Sequence, residues 1–125
     1  MAGINYLFAQ CANNEVEVKV VINTDGWGYE TYWTLSNFLG GNILMQGGQG
    51  GAYANYSTYT DSICLAANSC QFFEIYDDFG DGIYAPYGYE LYIDDSLVAI
   101  GNNDIESYAL KTINCPNPCN LVTDA

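Results

Sequence analysis

Hydrophobic and polar residues alternate strictly from Glu15 onward. Val16, Val18, Val20 and Ile22 fall on one side, and Glu17, Lys19, Val21 and Asn23 on the other. That is the period of a half-buried β-strand. A glycine-punctuated acidic stretch, Thr24-Asp25-Gly26-Trp27-Gly28-Tyr29-Glu30, follows, and residues 31–37 resume in β-branched and aromatic residues. A second strand after an elaborate loop is predicted. Further short strands are predicted at 42–46, 52–59, 71–77, 87–94, 97–101 and 105–113, separated by Gly40-Gly41, the glycine-rich run 47–51, Asp94-Asp95 and Asn102-Asn103. Regular turn signals without a sustained helical period predict an all-β chain, a single antiparallel β-sandwich of jelly-roll-like kind. Residues 11–114 form that domain. Residues 1–10 read as an extended segment or the stub of an export signal, and 115–125 as a Cys/Pro tail.

One strand ends in chemistry. In Phe73-Glu74-Ile75-Tyr76-Asp77-Asp78-Phe79-Gly80-Asp81-Gly82-Ile83, an alternating strand runs into three carboxylates interleaved with two glycines. Hard cations take several oxygens at about 2.3–2.6 Å, and glycines let a short loop fold carboxylates and carbonyls around one point. The pattern lacks the twelve-residue spacing, terminal glutamate and flanking helices of an EF-hand. Asp-Gly is also a strong turn signal by itself, so a plain solvated hairpin is the competing reading. Asp25 to Glu30 is a second acidic glycine loop after an alternating strand. If the two strands lie side by side, Asp25, Glu30, Asp77 and Asp81 converge on one Ca²⁺, with Asp78 beside them; otherwise the loops are two separate turns.

Composition narrows the partners. Fifteen acidic residues face two lysines, with no arginine or histidine, for a net charge of −13. Nucleic acid is excluded as a partner, because phosphate recognition needs clustered Lys and Arg. An anionic membrane surface is excluded likewise, and no apolar run approaches the ~20 residues that span a bilayer. Self-repulsion of this size is relieved by divalent cations at carboxylate clusters. Without histidine the commonest general base and zinc ligand are missing, which points away from an enzyme.

Five cysteines, Cys11, Cys64, Cys70, Cys115 and Cys119, in a chain rich in Tyr, Asn and Gly indicate an oxidising, secreted or cell-surface setting. Sequence proximity pairs Cys64 with Cys70 across a short loop. Cys11, ahead of the first strand, then pairs with Cys115 or Cys119 after the last, and one thiol is left over. The chain has twelve tyrosines, seven of them in two clusters, Tyr53, Tyr56 and Tyr59 and Tyr84, Tyr87, Tyr89 and Tyr92. These are either a sugar-binding face or ordinary strand residues packed on the pleat.

Two blocks carry a resemblance to a known group. The first holds Asn23-Thr24-Asp25 and Gly28-Tyr29-Glu30-Thr31-Tyr32-Trp33-Thr34-Leu35. The second holds Cys64-Leu65, Cys70, Phe73-Glu74-Ile75-Tyr76-Asp77, Gly80-Asp81-Gly82-Ile83 and Gly88-Tyr89-Glu90-Leu91. In this order they resemble a cysteine-containing β module recurring in large secreted and cell-surface proteins of Bacteroidota-type bacteria. The resemblance implies an extracellular sandwich for attachment or support, with Asp25, Glu30, Asp77 and Asp81 at the calcium-binding positions and Asp78 where the pattern is looser. Members sit inside very long chains. A free-standing chain of this kind would be a fragment or a subunit, and as a subunit its residues 1–10 could add a strand to a neighbour's sheet and build a fibre.

The expectation is therefore a non-catalytic, calcium-stabilised module for surface adhesion or filament assembly. The alternative is a carbohydrate-binding module or an accessory domain of a secreted enzyme.

Overall fold

The computed structural model describes residues 11–116. Eight strands make two antiparallel four-stranded sheets: β1 (Glu15–Asn23), β2 (Thr31–Ser36), β3 (Ile43–Gly47), β4 (Thr58–Ala66), β5 (Gln71–Asp77), β6 (Gly88–Ile93), β7 (Ser96–Gly101) and β8 (Tyr108–Ile113). The first sheet has the order β4-β1-β6-β7 and the second β3-β2-β5-β8. The sandwich predicted from the alternation is the fold of the chain. Val18, Val20 and Ile22 of β1, Trp33 and Leu35 of β2, Phe73 and Ile75 of β5 and Leu91 of β6 are fully sealed between the sheets. Burying each such side chain is worth about 1.5–3 kcal/mol.

The topology has an internal twofold. Shifting every strand number by four, counting on from β8 to β1, exchanges the two sheets and preserves every pairing: β1–β4 becomes β5–β8, β2–β3 becomes β6–β7, and β1–β6 becomes β5–β2. The four connections β1–β2, β3–β4, β5–β6 and β7–β8 all cross between the sheets at one end of the sandwich. Both hairpin turns, β2–β3 and β6–β7, lie at the other end.

Two predicted strands are displaced. Residues 52–57 form a loop, and the strand runs over Thr58–Ala66 instead. The backbone at 54–57 is spent on the β1–β2 loop: Thr24 Oγ1 donates to the Ala54 carbonyl, the Ser57 amide donates to Thr24 Oγ1, and the Tyr56 amide donates to the Asp25 carbonyl. β8 starts at Tyr108 rather than Ile105, because a 3₁₀ turn at Asn103–Ile105 and a left-handed Glu106 (φ 53°) interrupt the chain before it.

The disulfide pairing also differs from the expected one. Cys11 bonds Cys64 and Cys70 bonds Cys115. Antiparallel register explains both. The start of β1 lies beside the end of β4, with Glu15 opposite Ala66, and the start of β5 lies beside the end of β8, with Gln71 opposite Ile113. Cys64 and Cys70, close in sequence, are held by strands of different sheets. The twofold relates the two bonds, and both lie at the hairpin end. The expected strand within residues 1–10, and Cys119, lie outside the described residues.

Candidate metal centre

β1 and β5 do not lie side by side; they belong to facing sheets. Their loops converge nonetheless, because each is a crossing connection at the same end. The β1–β2 loop closes with a 3₁₀ turn, Gly28–Glu30, that delivers Glu30 inward at the first residue before β2. β2 pairs with β5 so that Thr31 faces Asp77, which sets Glu30 against the end of β5. The Asp78 amide donates to the Glu30 carbonyl at 3.0 Å and locks that placement.

Carboxylate oxygens of Glu30, Asp77 and Asp81 lie within 4.8 Å of one another. Glu30 is 2% exposed and Asp77 3%, while Asp81 is open to solvent and closes the cluster from outside. Two backbone amides, those of Asp81 and Gly82, donate to Asp77 Oδ2 at 3.0 and 3.1 Å. Gly82 makes this turn with φ +72°, and a Cβ there would meet the Asn102 carbonyl at 2.6 Å. Only glycine tolerates both conditions. Glu30 Oε2 is buried and has no hydrogen-bond partner. A buried charged oxygen left in that state is costly.

The electrostatics agree. Burial, then the charges of Asp77 and Asp81, push the Glu30 carboxyl up to about 7. Burial first, and contact with Asp81 next, raise Asp77 to about 6. Such a cluster is relieved by protonation or by a cation, and an all-carboxylate set suits a hard ion such as Ca²⁺ rather than a thiophilic metal. A second grouping, Cys11, Glu15 and Cys64, is no ligand set because both sulfurs are spent in the disulfide.

Of the five residues expected to hold the ion, the fold unites Glu30, Asp77 and Asp81. Asp25 is buried close by but is not among the three whose oxygens gather: its Oδ1 accepts from the Trp27 amide at 2.8 Å and its Oδ2 from the Tyr84 amide at 2.8 Å. It ties the two crossing loops together and adds negative field at Glu30. Asp78 turns outward into a shallow depression with Tyr29, Tyr32 and Gln49. Successive residues of an extended chain point to opposite sides, so Asp77 and Asp78 cannot both face the cluster.

The predicted tyrosine clusters do not make one face. Tyr53 and Tyr89 belong to the core, where Tyr53 accepts from Trp33 Nε1 at 2.9 Å. A row the sequence did not reveal crosses the outer face of the second sheet, where Tyr32 stacks on Tyr76 at 4.8 Å and Tyr76 meets Tyr108 at 5.2 Å. The Tyr108 hydroxyl donates to Glu74 at 2.8 Å. Strand register alone assembles this row.

Comparison with known protein families, curated proteins and solved structures finds no match. A sandwich hosts many unrelated activities, so function rests on the site.

Proposed function

We propose that this chain is a non-catalytic, calcium-clamped β-sandwich of the extracellular space that serves in surface adhesion or in self-assembly into filaments. The observation that carries the reading is the unpartnered, buried Glu30 Oε2 beside Asp77 and Asp81. A cation there neutralises the cluster and joins the β1–β2 loop of one sheet to the β5–β6 loop of the other. The role is structural because Glu30 and Asp77 are sealed from solvent, out of reach of any substrate. Two disulfides suit an oxidising compartment, and among the described residues no helix is long and apolar enough to cross a membrane.

Calcium titration followed by thermal unfolding tests the clamp. The melting temperature should rise with calcium and fall on chelation, and Glu30→Gln should remove the difference. An unchanged melting temperature in the unmodified protein would refute the clamp.

A second reading, glycan binding, is favoured by one observation. Trp27, Tyr29, Tyr56, Phe79 and Tyr84 are all exposed on crossing loops at the metal end. Exposed aromatic rings on loops are efficient contact surfaces for sugars and proteins. Silence on a glycan array in the presence of calcium would remove this alternative.

A further inference from the structure

A sandwich of two open sheets has four edge strands, here β4 and β7 in the first sheet and β3 and β8 in the second. Exposed edges present unpaired backbone groups and are usually guarded by charge, proline or brevity. β4 carries Asp61 at its middle. β8 carries Lys111, opposite the core residue Phe73 and so in the inward-pointing row. β3 is five residues long.

β7 has neither charge nor proline, and its Leu97, Val98 and Ile100 are 55, 47 and 60% exposed. Its one guard is a bulge in which Val98 is skipped between Leu97 and Ala99. Between β7 and β8 the sandwich opens laterally into a cleft of about 440 Å³, lined by Ile93, Val98, Ala99, Ile100 and Ile113, with Lys111 as its one charged residue.

We infer that this cleft accepts residues 4–10 of a second copy as an added strand along β7; the inference rests on the self-assembly reading above. The segment Ile4-Asn5-Tyr6-Leu7-Phe8-Ala9-Gln10 bears no charged side chain and alternates Ile4, Tyr6 and Phe8 with Asn5, Leu7 and Ala9. It therefore meets no repulsion from a chain of net charge −13, and its backbone supplies the hydrogen bonds that β7 lacks on its open side.

Geometry selects a neighbour over the same chain. Cys11 is bonded to Cys64 on β4, at the opposite edge of the sheet from β7. Three strand spacings of about 4.8 Å separate those edges, so a segment folding back on its own sandwich would spend roughly four residues on the crossing. In a neighbour the whole of 4–10 can enter. Because donor and acceptor sit on opposite edges, the contact is heterologous, and repetition gives an open fibre rather than a closed dimer.

Sedimentation of the full chain in calcium tests this. The substitutions Phe8→Glu in the donor and Val98→Lys or Ile100→Lys in the acceptor fall on the segment and on exposed positions. Each should weaken assembly by at least about tenfold while leaving the melting temperature and its calcium response in place. A mixture of Phe8→Glu with Val98→Lys should form heterodimers and nothing longer, because each retains one functional half. Hydrogen exchange at β7 amides should be slow in assembled wild type and fast in Phe8→Glu. Undiminished assembly of all the variants would overturn the strand-addition mode while leaving self-assembly standing. A wild type that stays monomeric would overturn both.

Discussion

Thr24 and Asp77 occupy the same place in the two halves of the sandwich. Each is at the end of its strand, one residue past the pair Asn23–Thr58 or Tyr76–Tyr108, and each donates its backbone amide to a serine carbonyl, Ser57 at 2.9 Å or Ser107 at 3.1 Å. One half puts a hydroxyl at that buried place and the other a carboxylate. The two halves thus differ in chemistry at this shared position, which is where the acidic cluster forms.

Neutralising that carboxylate has opposite effects with and without calcium. In chelated protein Asp77→Asn or Glu30→Gln removes like-charge repulsion, so the melting temperature should hold or rise. In calcium at 100 times Kd the wild type should gain about 2.7 kcal/mol, or roughly 10 °C for a chain of this length, and the variants should gain little. Scanning calorimetry on both, in chelator and in calcium, checks the crossing.

Proton linkage gives a second test. The Glu30 and Asp77 carboxyls are raised to about 7 and about 6 from ordinary values of 4.5 and 3.8, so the folded chain holds these protons more tightly than the unfolded one. Their contribution to stability is complete below the ordinary values and is lost as the pH climbs through about 6 and then about 7. Calcium-free wild type should therefore weaken across that window more than Glu30→Gln does. Calcium affinity should rise across the same window as the ion displaces protons. Denaturant melts at a series of pH values would show whether the two curves converge below pH 4.5.

Opening either disulfide should be costly. The bonds close loops with sequence separations of 53 and 45 residues, and loop entropy assigns about 4 kcal/mol to each. Paired replacement of Cys11 and Cys64 by serine, or of Cys70 and Cys115, should lower stability by similar amounts, read from urea midpoints.

Close approach at Gly28 is equally exposed to test. A Cβ at that position would collide with the Ala54 carbonyl, so Gly28→Ala must push the β1–β2 and β3–β4 loops apart. A loss of about 1–3 kcal/mol and a weaker calcium response are expected, because the same loop positions Glu30.

The alternation of Val16 through Ile22 made the sandwich legible, since a period of two with one apolar side has few other outcomes. Glu30, Asp77 and Asp81 were legible as a composition of loop residues. Loop likeness puts Asp25 in the ion's shell, yet its carboxylate is directed to the Trp27 and Tyr84 amides, a contact that needs the tertiary fold. The cysteine pairing departs from expectation for the same reason: sequence distance favours Cys64 with Cys70, whereas strand register governs. Residues 52–57 look like a strand by composition, but their hydrogen bonds go to the neighbouring loop.

The two disulfides have a mechanical meaning. A pull applied between Cys11 and Cys115 travels through the first bond to Cys64, along the backbone to Cys70, and through the second bond to Cys115. That covalent path spans roughly 30 Å at full stretch, against roughly 350 Å for the unbridged chain. The load thus bypasses residues 12–63 and 71–114, so all the strands except the end of β4 lie outside the line of tension. Under oxidising conditions the domain is a link of nearly fixed length, and thiol reduction converts it into one that can unravel.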